Sequence, residues 1–530
     1  MTITQTATFT NPVLPGFHPD PSICRVGDDF YLVVSSFEYF PGIPLFHSRD
    51  LVSWTPLGHV LDRPEQLDLS QAPASGGVFA PTIRWHRGVF YVTATNVSGR
   101  GHFIVSAVDP AGPWSDPVWV DQNGIDPSLF FEDDLVYFTS NVEPDPSGPH
   151  LVQAPFRRGI QQSLIDPVSG SVLTPPRFVW EGSGGRYPEG PHLYRRGDHY
   201  YLVISEGGTE YGHRVTVGRS TSPWGPFEAS PYGPMVSHGS IASPLQAVGH
   251  ADLIELDDDE WWMVCLGVRP RGQWPRHVLG RETLLAPVSW TDDGWPRVGE
   301  QSEVAVAPPR PSLPVHEVRP APVRDDFDAE TLHPSWQFLR RPVPLDVLLS
   351  RPGSLTLPTG APLRDNRFPS FVGRRQQHHY FVSRALLESG PDGAGDEAGL
   401  VVWMNESHFF SLAVRRAGDA SEVVLRQVIG RIDLETVLQE VPLGAVVLEV
   451  RGDGDEYIFS ATAADGSRTE ETPLEARFLS TEFAGGFTGA FVGLFAASAG
   501  SPTGVASFDW FEYEGRDPAS GMTDPRPAGE

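Results

Sequence analysis

The sequence predicts an all-β protein of two domains, a five-bladed β-propeller followed by a β-sandwich. Three observations lead there. Helical periodicity is nearly absent, and short runs rich in Val, Ile, Phe, Tyr and Trp are broken by Gly, Pro, Asn and Asp. One such run recurs five times. A Pro-rich segment then precedes a second set of alternating strands. At 530 residues the chain is too long for one hydrophobic core.

The repeat begins DPSICRVGDDFYLVVSS at Asp20 and returns as APTIRWHRGVFYVTATN at Ala80 and DPSLFFEDDLVYFTSN at Asp126. It returns again as EGPHLYRRGDHYYLVISEG at Glu189 and HADLIELDDDEWWMVCLG at His250. Eleven residues after each start stands an aromatic: Tyr31, Tyr91, Tyr137, Tyr200 and Trp261. The starts lie 60, 46, 63 and 61 residues apart, which suits four-stranded blades with variable outer loops closing radially. VGDD at Val26 and RRGD at Arg195 read as hairpin turns, and SRDLVSWTP, DPAGPWSDP and STSPWGPFEAS read as turns and outer strands. The propeller is expected over residues 11–306.

APPRPSLPVHEVRPAP, within residues 307–322, has too many prolines for a sheet interior and reads as a semi-rigid linker. Runs such as VVWMNESHFFSLAVRR and VVLEVRGDGDEYIFSATA then alternate with period two, which predicts a two-sheet sandwich over 323–515. Residues 516–530 are polar and Pro-rich, and are expected to form a disordered tail.

Composition narrows the partners. With 39 Lys and Arg against 67 Asp and Glu, the formal charge of -28 argues against nucleic acid and anionic membrane. Aromatics make up 11% of residues, enough to pack sheets or to line a pocket for the flat faces of sugars. Cys24 and Cys265, the two cysteines, lie in apolar runs and read as buried free thiols, neither disulfide nor zinc ligand. MTITQTATFTNPVLPGFHPD has neither a basic n-region nor an apolar h-region, and no stretch approaches the roughly 20 apolar residues of a membrane span. A soluble, cytoplasmic protein is the expectation.

If the first strand of each blade lines the axis, then Asp20, Ala80, Asp126, Glu189 and His250 form a ring at one end of the channel. Each has an ordinary explanation. Asp20 and Asp126, each before Pro-Ser, suit Asx-type turns, Glu189 suits a local salt bridge, and His250 suits a structural histidine. Their coincidence favours function, because carboxylates gathered in a cleft repel one another and raise a pKa in at least one. A pair of carboxylates, one neutral and donating a proton while the other activates water or attacks carbon, is the equipment for glycosidic cleavage. An acidic ring with His could instead hold Ca²⁺ or Mg²⁺, although the spacing is that of repeats and not of a calcium loop. A noncatalytic carbohydrate-binding propeller is the third reading. HExxH, a phosphate-cradling Gly loop and a GxSxG elbow are all missing.

NPVLPGFHPDPSI, SSFEYFPGIPLFHSRDLVSW, GGVFAPTI, GIDPSLF, RYPEGPHLY, VGHADLI and LGRET follow in an order that resembles glycoside hydrolase family 43, in particular its two-domain β-xylosidases, over Asn11 to Tyr513. The resemblance implies an inverting, exo-acting β-D-xylosidase working on the non-reducing ends of short xylo-oligosaccharides. It also leaves α-L-arabinofuranosidase activity, alone or alongside, as the alternative. It implies Asp20 as general base, Glu189 as general acid and Asp126 as the residue that tunes and orients that acid. It places His250 at the floor of the centre, in some relatives near a bound cation through water, and Arg281 at the sugar pocket, where a guanidinium would bind hydroxyls and offset three carboxylates. No cofactor is required on this resemblance; a structural Ca²⁺ at the propeller centre and a homo-oligomer are compatible with it. The pocket aromatics carry over as Phe37 and Phe79. Many relatives have Trp at the position of Phe79 and Asn at that of His18, and the smaller Phe ring leaves more room for the sugar. A sandwich loop is expected to close the pocket through Phe487, with Phe491 as the competing candidate.

Overall fold

The computed structural model describes residues 7–142, 158–319, 321–365, 368–393, 395–498, 500 and 504–516. Among them, five antiparallel four-stranded paths form the blades, each with its strands in chain order. Blade I comprises Ser22–Val26, Asp29–Val33, Gly42–Ser48 and Thr55–Leu61. The innermost strands of blades II to V are Thr82–His86, Ser128–Glu132, Glu189–Arg196 and Gln246–Glu255. Each innermost strand neighbours the next, and that of blade V returns to that of blade I, closing the ring. The tight turns Val26–Asp29 and Arg196–His199 place Gly27 and Gly197 at positive φ, as the hairpin readings required.

Apolar side chains pack between blades. Tyr201, Val203 and Val217 of blade IV meet Val248, Leu253 and Met263 of blade V in one such core. Both cysteines are buried and unpaired. The N-terminal segment also fastens the ring: Leu14 bridges Thr283, and the Asn11 amide donates to the carbonyls of Leu285 and Ala305.

The Pro-rich segment runs along the propeller and is pinned to it. Asp50 accepts from the Arg310 guanidinium at 2.9 Å and from the His316 amide at 3.1 Å. Beyond it two sheets of seven and eight strands form the sandwich. The eight-stranded sheet ends on a strand the sequence did not suggest, Tyr39–Phe40 of the propeller, which pairs with Gln337–Leu339. Around this shared edge Phe17, Phe37 and Tyr39 pack with Leu339, Phe371, Trp403 and Phe491 in one buried cluster. The expected tail beyond Arg516 lies outside the described residues.

Candidate active site

Asp20 and Asp126 each stand two residues before an innermost strand, before a Pro, and at φ of +55°. Asp tolerates this left-handed backbone better than most residues with a Cβ. Blade IV solves the same corner differently. Gly190 takes the left-handed position at φ +57°, and Glu189 comes one residue earlier. A Cβ on Gly190 would lie 3.0 Å from the His250 ring, so both backbone and space call for glycine there.

The common register holds in three blades only. Tyr31, Tyr91 and Tyr137 face Cys24, Arg84 and Phe130, each four residues past its repeat start. Tyr200 faces Arg195, six past Glu189, and Trp261 faces Glu255, five past His250. The pairing slips between Glu189 and His192, and on both sides of Gly249. These bulges absorb the extra residues and return Glu189 and His250 to the mouth occupied by the two aspartates. Ala80 fills the corresponding place in blade II and brings no ionisable group.

The carboxylates differ in surroundings. Asp20 is buried, which raises its pKa, but the Arg281 guanidinium at 2.7 Å, His250 and the Ser35 hydroxyl at 2.6 Å outweigh that and hold it below the usual range. Among the described residues no cation is in contact with Asp126. Burial, then the charges of Glu189 and Asp20, push it well above the ordinary value, while its Oδ2 accepts from the Gly190 amide at 3.1 Å. Glu189 is pushed up to about 7, by burial first and by Asp20 second. One ionised carboxylate thus faces two that favour the neutral form.

Arg281 ties the site together. Beyond Asp20 its Nη1 reaches Thr209 Oγ1 at 3.2 Å, and its Nη2 donates to the Phe487 carbonyl at 3.3 Å. His250 sits 3.7 Å from Asp20, and its amide is held by the Ser205 hydroxyl. Burial lowers its pKa, against the raising pull of Asp20. His213 lies beneath, its ring 2.3 Å from where a Gly249 Cβ would be. Ser35, Thr209 and His213 carried no sequence signal beyond a Gly-Gly loop before Thr209. His18 instead turns its ring edge to Phe46, 5.3 Å away, and bonds Pro15 through Nδ1.

Three rings wall the site. Phe37 lies 5.1 Å from Phe79 and 6.4 Å from Phe487, stacked with the latter. Phe37 is only 2% exposed and backs the other two, whereas Phe487 is 42% exposed and offers a face. Phe487 crosses from the sandwich because Gly489 and Gly280 allow backbone contact: a Cβ on Gly489 would lie 2.5 Å from the Leu279 carbonyl. Its amide donates to Ser75 Oγ at 2.9 Å. Phe491 stacks on Tyr39 at 4.0 Å, fully buried, and belongs to the domain junction.

Deeper along the axis all five blades contribute to one polar knot. The Arg84 guanidinium of blade II bonds both carboxylate oxygens of Asp252 of blade V, at 2.8 and 3.1 Å, and lies 2.9 Å from His192 of blade IV. Ser22 of blade I donates to Asp252 and Ser128 of blade III meets His192. The donor set that would suit Ca²⁺ at the centre is therefore already engaged by a fixed cation. Asp20, nearer His250, has its oxygens committed to Arg281 and Ser35. These side chains therefore do not fit a hard divalent ion in direct contact.

A ring-closed propeller with an ionised and a neutral carboxylate at its mouth defines an acid–base hydrolase scaffold. The sequence model of Glycosyl hydrolases family 43 matches residues 9–296, and that of the Beta xylosidase C-terminal Concanavalin A-like domain matches 324–514. The chain belongs to glycoside hydrolase family 43. It is 45% identical to a non-reducing end alpha-L-arabinofuranosidase of Bacteroides ovatus, over 96% of this chain and 94% of that one. It is 36% identical to a xylosidase/arabinosidase of Butyrivibrio fibrisolvens, over 95% and 99%. The crystal structure of xylan beta-1,4-xylosidase from Bacillus halodurans superposes with a TM-score of 0.90 at 33% identity, covering 96% of this chain and all of that one.

Proposed function

We propose that this hydrolase is exo-acting and inverting, that it removes terminal α-L-arabinofuranosyl units, and that it takes β-D-xylosyl units as a second substrate. The observation that carries the mechanism is that Arg281 bonds Asp20 at 2.7 Å and holds it low, whereas buried Glu189 is pushed up to about 7. Glu189 gives its proton to the glycosidic oxygen as the C1–O bond breaks. Asp20 takes a proton from the water that attacks C1 from the other face, and exchange with solvent resets both. Asp126, through the Gly190 amide, fixes the peptide that carries Glu189, while burial and the charge of Asp20 favour the neutral form of that carboxyl.

The order of the two sugars departs from the sequence expectation, which put xylose first. It rests on the arabinofuranosidase named at 45% identity, against 36% for the dual-named relative. Phe79 in place of a larger ring gives room at the wall for a furanose, and the related geometry of the two pentoses leaves xylose admissible. Paired 4-nitrophenyl α-L-arabinofuranoside and β-D-xyloside test the order, and turnover of the xyloside alone would reverse it. Proton NMR of the first anomer released tests inversion. Equal hydrolysis of a natural oligosaccharide by wild type and Glu189→Ala would return the fold to a binding role.

A further inference from the structure

A second cavity, of about 550 Å³, lies where blade I, the Pro-rich segment and the sandwich meet. Phe46 and Trp54 of blade I form its apolar side, and Arg319, His333, Arg374 and Arg375 supply its polar side. Among the described residues that line it there is no carboxylate, in a chain whose formal charge is -28. Arg374 and Arg375 are 9% and 7% exposed, and neither makes an ion pair among the described residues. Each guanidinium lies instead over rings, Arg374 over Trp336 and Tyr513, Arg375 over Phe17 and Phe491. Nε and Nη2 of Arg375 are buried without any hydrogen-bond partner. Asp325, whose charge acts on Arg374, is itself held by the Trp336 indole at 2.8 Å.

Burying a cation without a paired anion is costly, and proteins compensate such charges or place them where a ligand completes them. Ring stacking recovers only part of that cost. The remaining positive charge is felt nearby: after burial, Arg375 is what keeps His18 neutral, and Arg374 does the same for His333. We infer that this cavity is a binding site for a small carboxylate carried on a ring, the ring lying against Trp54 and Phe46 and the carboxylate answering Arg374 and Arg375. A hydroxylated ring acid and an aromatic acid share that chemistry. Its lining includes none of Asp20, Asp126, Glu189, Arg281 or the three site rings, and the inference does not rest on the sugar assigned to them.

Calorimetric titration of the full chain tests this, with glucuronate and benzoate as probes, glucose and benzyl alcohol as their neutral counterparts, and ionic strength held constant with chloride. Saturable binding of at least one acid, with its neutral counterpart weaker by about tenfold or more, is the expected result, as for loss of a charge-assisted hydrogen bond. Whichever acid binds identifies the ring. Arg375→Met should weaken binding to the same degree. Arg319→Ala, at an exposed position of the linker where folding is not at stake, should weaken it by a few-fold. Excess arabinose and xylose should leave binding unchanged. Failure of both acids to bind, equal binding of a neutral counterpart, indifference to Arg319→Ala and a folded Arg375→Met, or displacement by the pentoses would each overturn the inference.

Discussion

Replacing Glu189 by Gln should damage catalysis and stabilise the fold, and the second effect can be worked from the site. Glu189 titrates at about 7 in the folded chain against an ordinary 4.5. A raised carboxyl contributes fully below the unfolded value, and its contribution is lost as pH rises through the folded one. The native state therefore loses up to about 3 kcal/mol from this group between roughly pH 4.5 and pH 8. Gln is isosteric, cannot ionise and escapes the loss. It also removes one of the charges that push Asp126 upward. Calorimetric melting of both proteins at pH 4.5 and pH 8 should give equal Tm values at the lower pH, with the variant higher by on the order of 5 °C at the upper. The same variant should hydrolyse a natural oligosaccharide about 10²–10⁴-fold more slowly. A Tm gain that is equal at both pH values, or absent at pH 8, would refute the electrostatic account of Glu189.

Arg281→Met should move the acid limb of the kcat/KM pH profile upward by about 1–3 units as Asp20 loses its cation, and an unmoved limb would separate the two. Phe487→Ala should raise KM by roughly tenfold while leaving Tm nearly unchanged, since the ring is 42% exposed and surface truncations cost little. Gly489→Ala drives a Cβ onto the Leu279 carbonyl, so it should cost about 1–3 kcal/mol in denaturant melts and raise KM with it. For Glu189→Gln, the loss on 4-nitrophenyl glycosides should be far smaller than on oligosaccharides, because an activated leaving group needs little protonation.

Five blades and the positions of Asp20, Asp126, Glu189 and His250 were legible in the sequence because repeats carry their own alignment, the sandwich because its strands alternate, and Arg281 only through the family resemblance of LGRET. The register was legible only where the hairpins are regular. In blades IV and V bulges displace Glu189 by two residues and His250 by one, and eleven-residue spacing cannot distinguish a bulge from a longer turn. Ser35 and Thr209 were invisible for another reason: each is an ordinary residue made important by Asp20 or Arg281 arriving from elsewhere in the chain. Phe487 and Phe491 looked alike because both sit in one aromatic run, and only the turn through Gly489 sends one to the pocket and the other to the core. Arg84 went unremarked because a lone Arg in WHRG company reads as surface, whereas the axis buries it against Asp252.

The strand shared between Tyr39–Phe40 and Gln337–Leu339 has a consequence for the order in which the molecule is made. During synthesis the propeller leaves the ribosome long before its partner strand exists, since chains fold from the N-terminus as they emerge. Phe37, two residues from Tyr39, and its neighbour Phe79 must wait for Phe487 to complete their wall. A nascent chain can therefore close its ring and still be inert. Competence for turnover waits until Phe487 has emerged, so products truncated before it would be folded in part without being active.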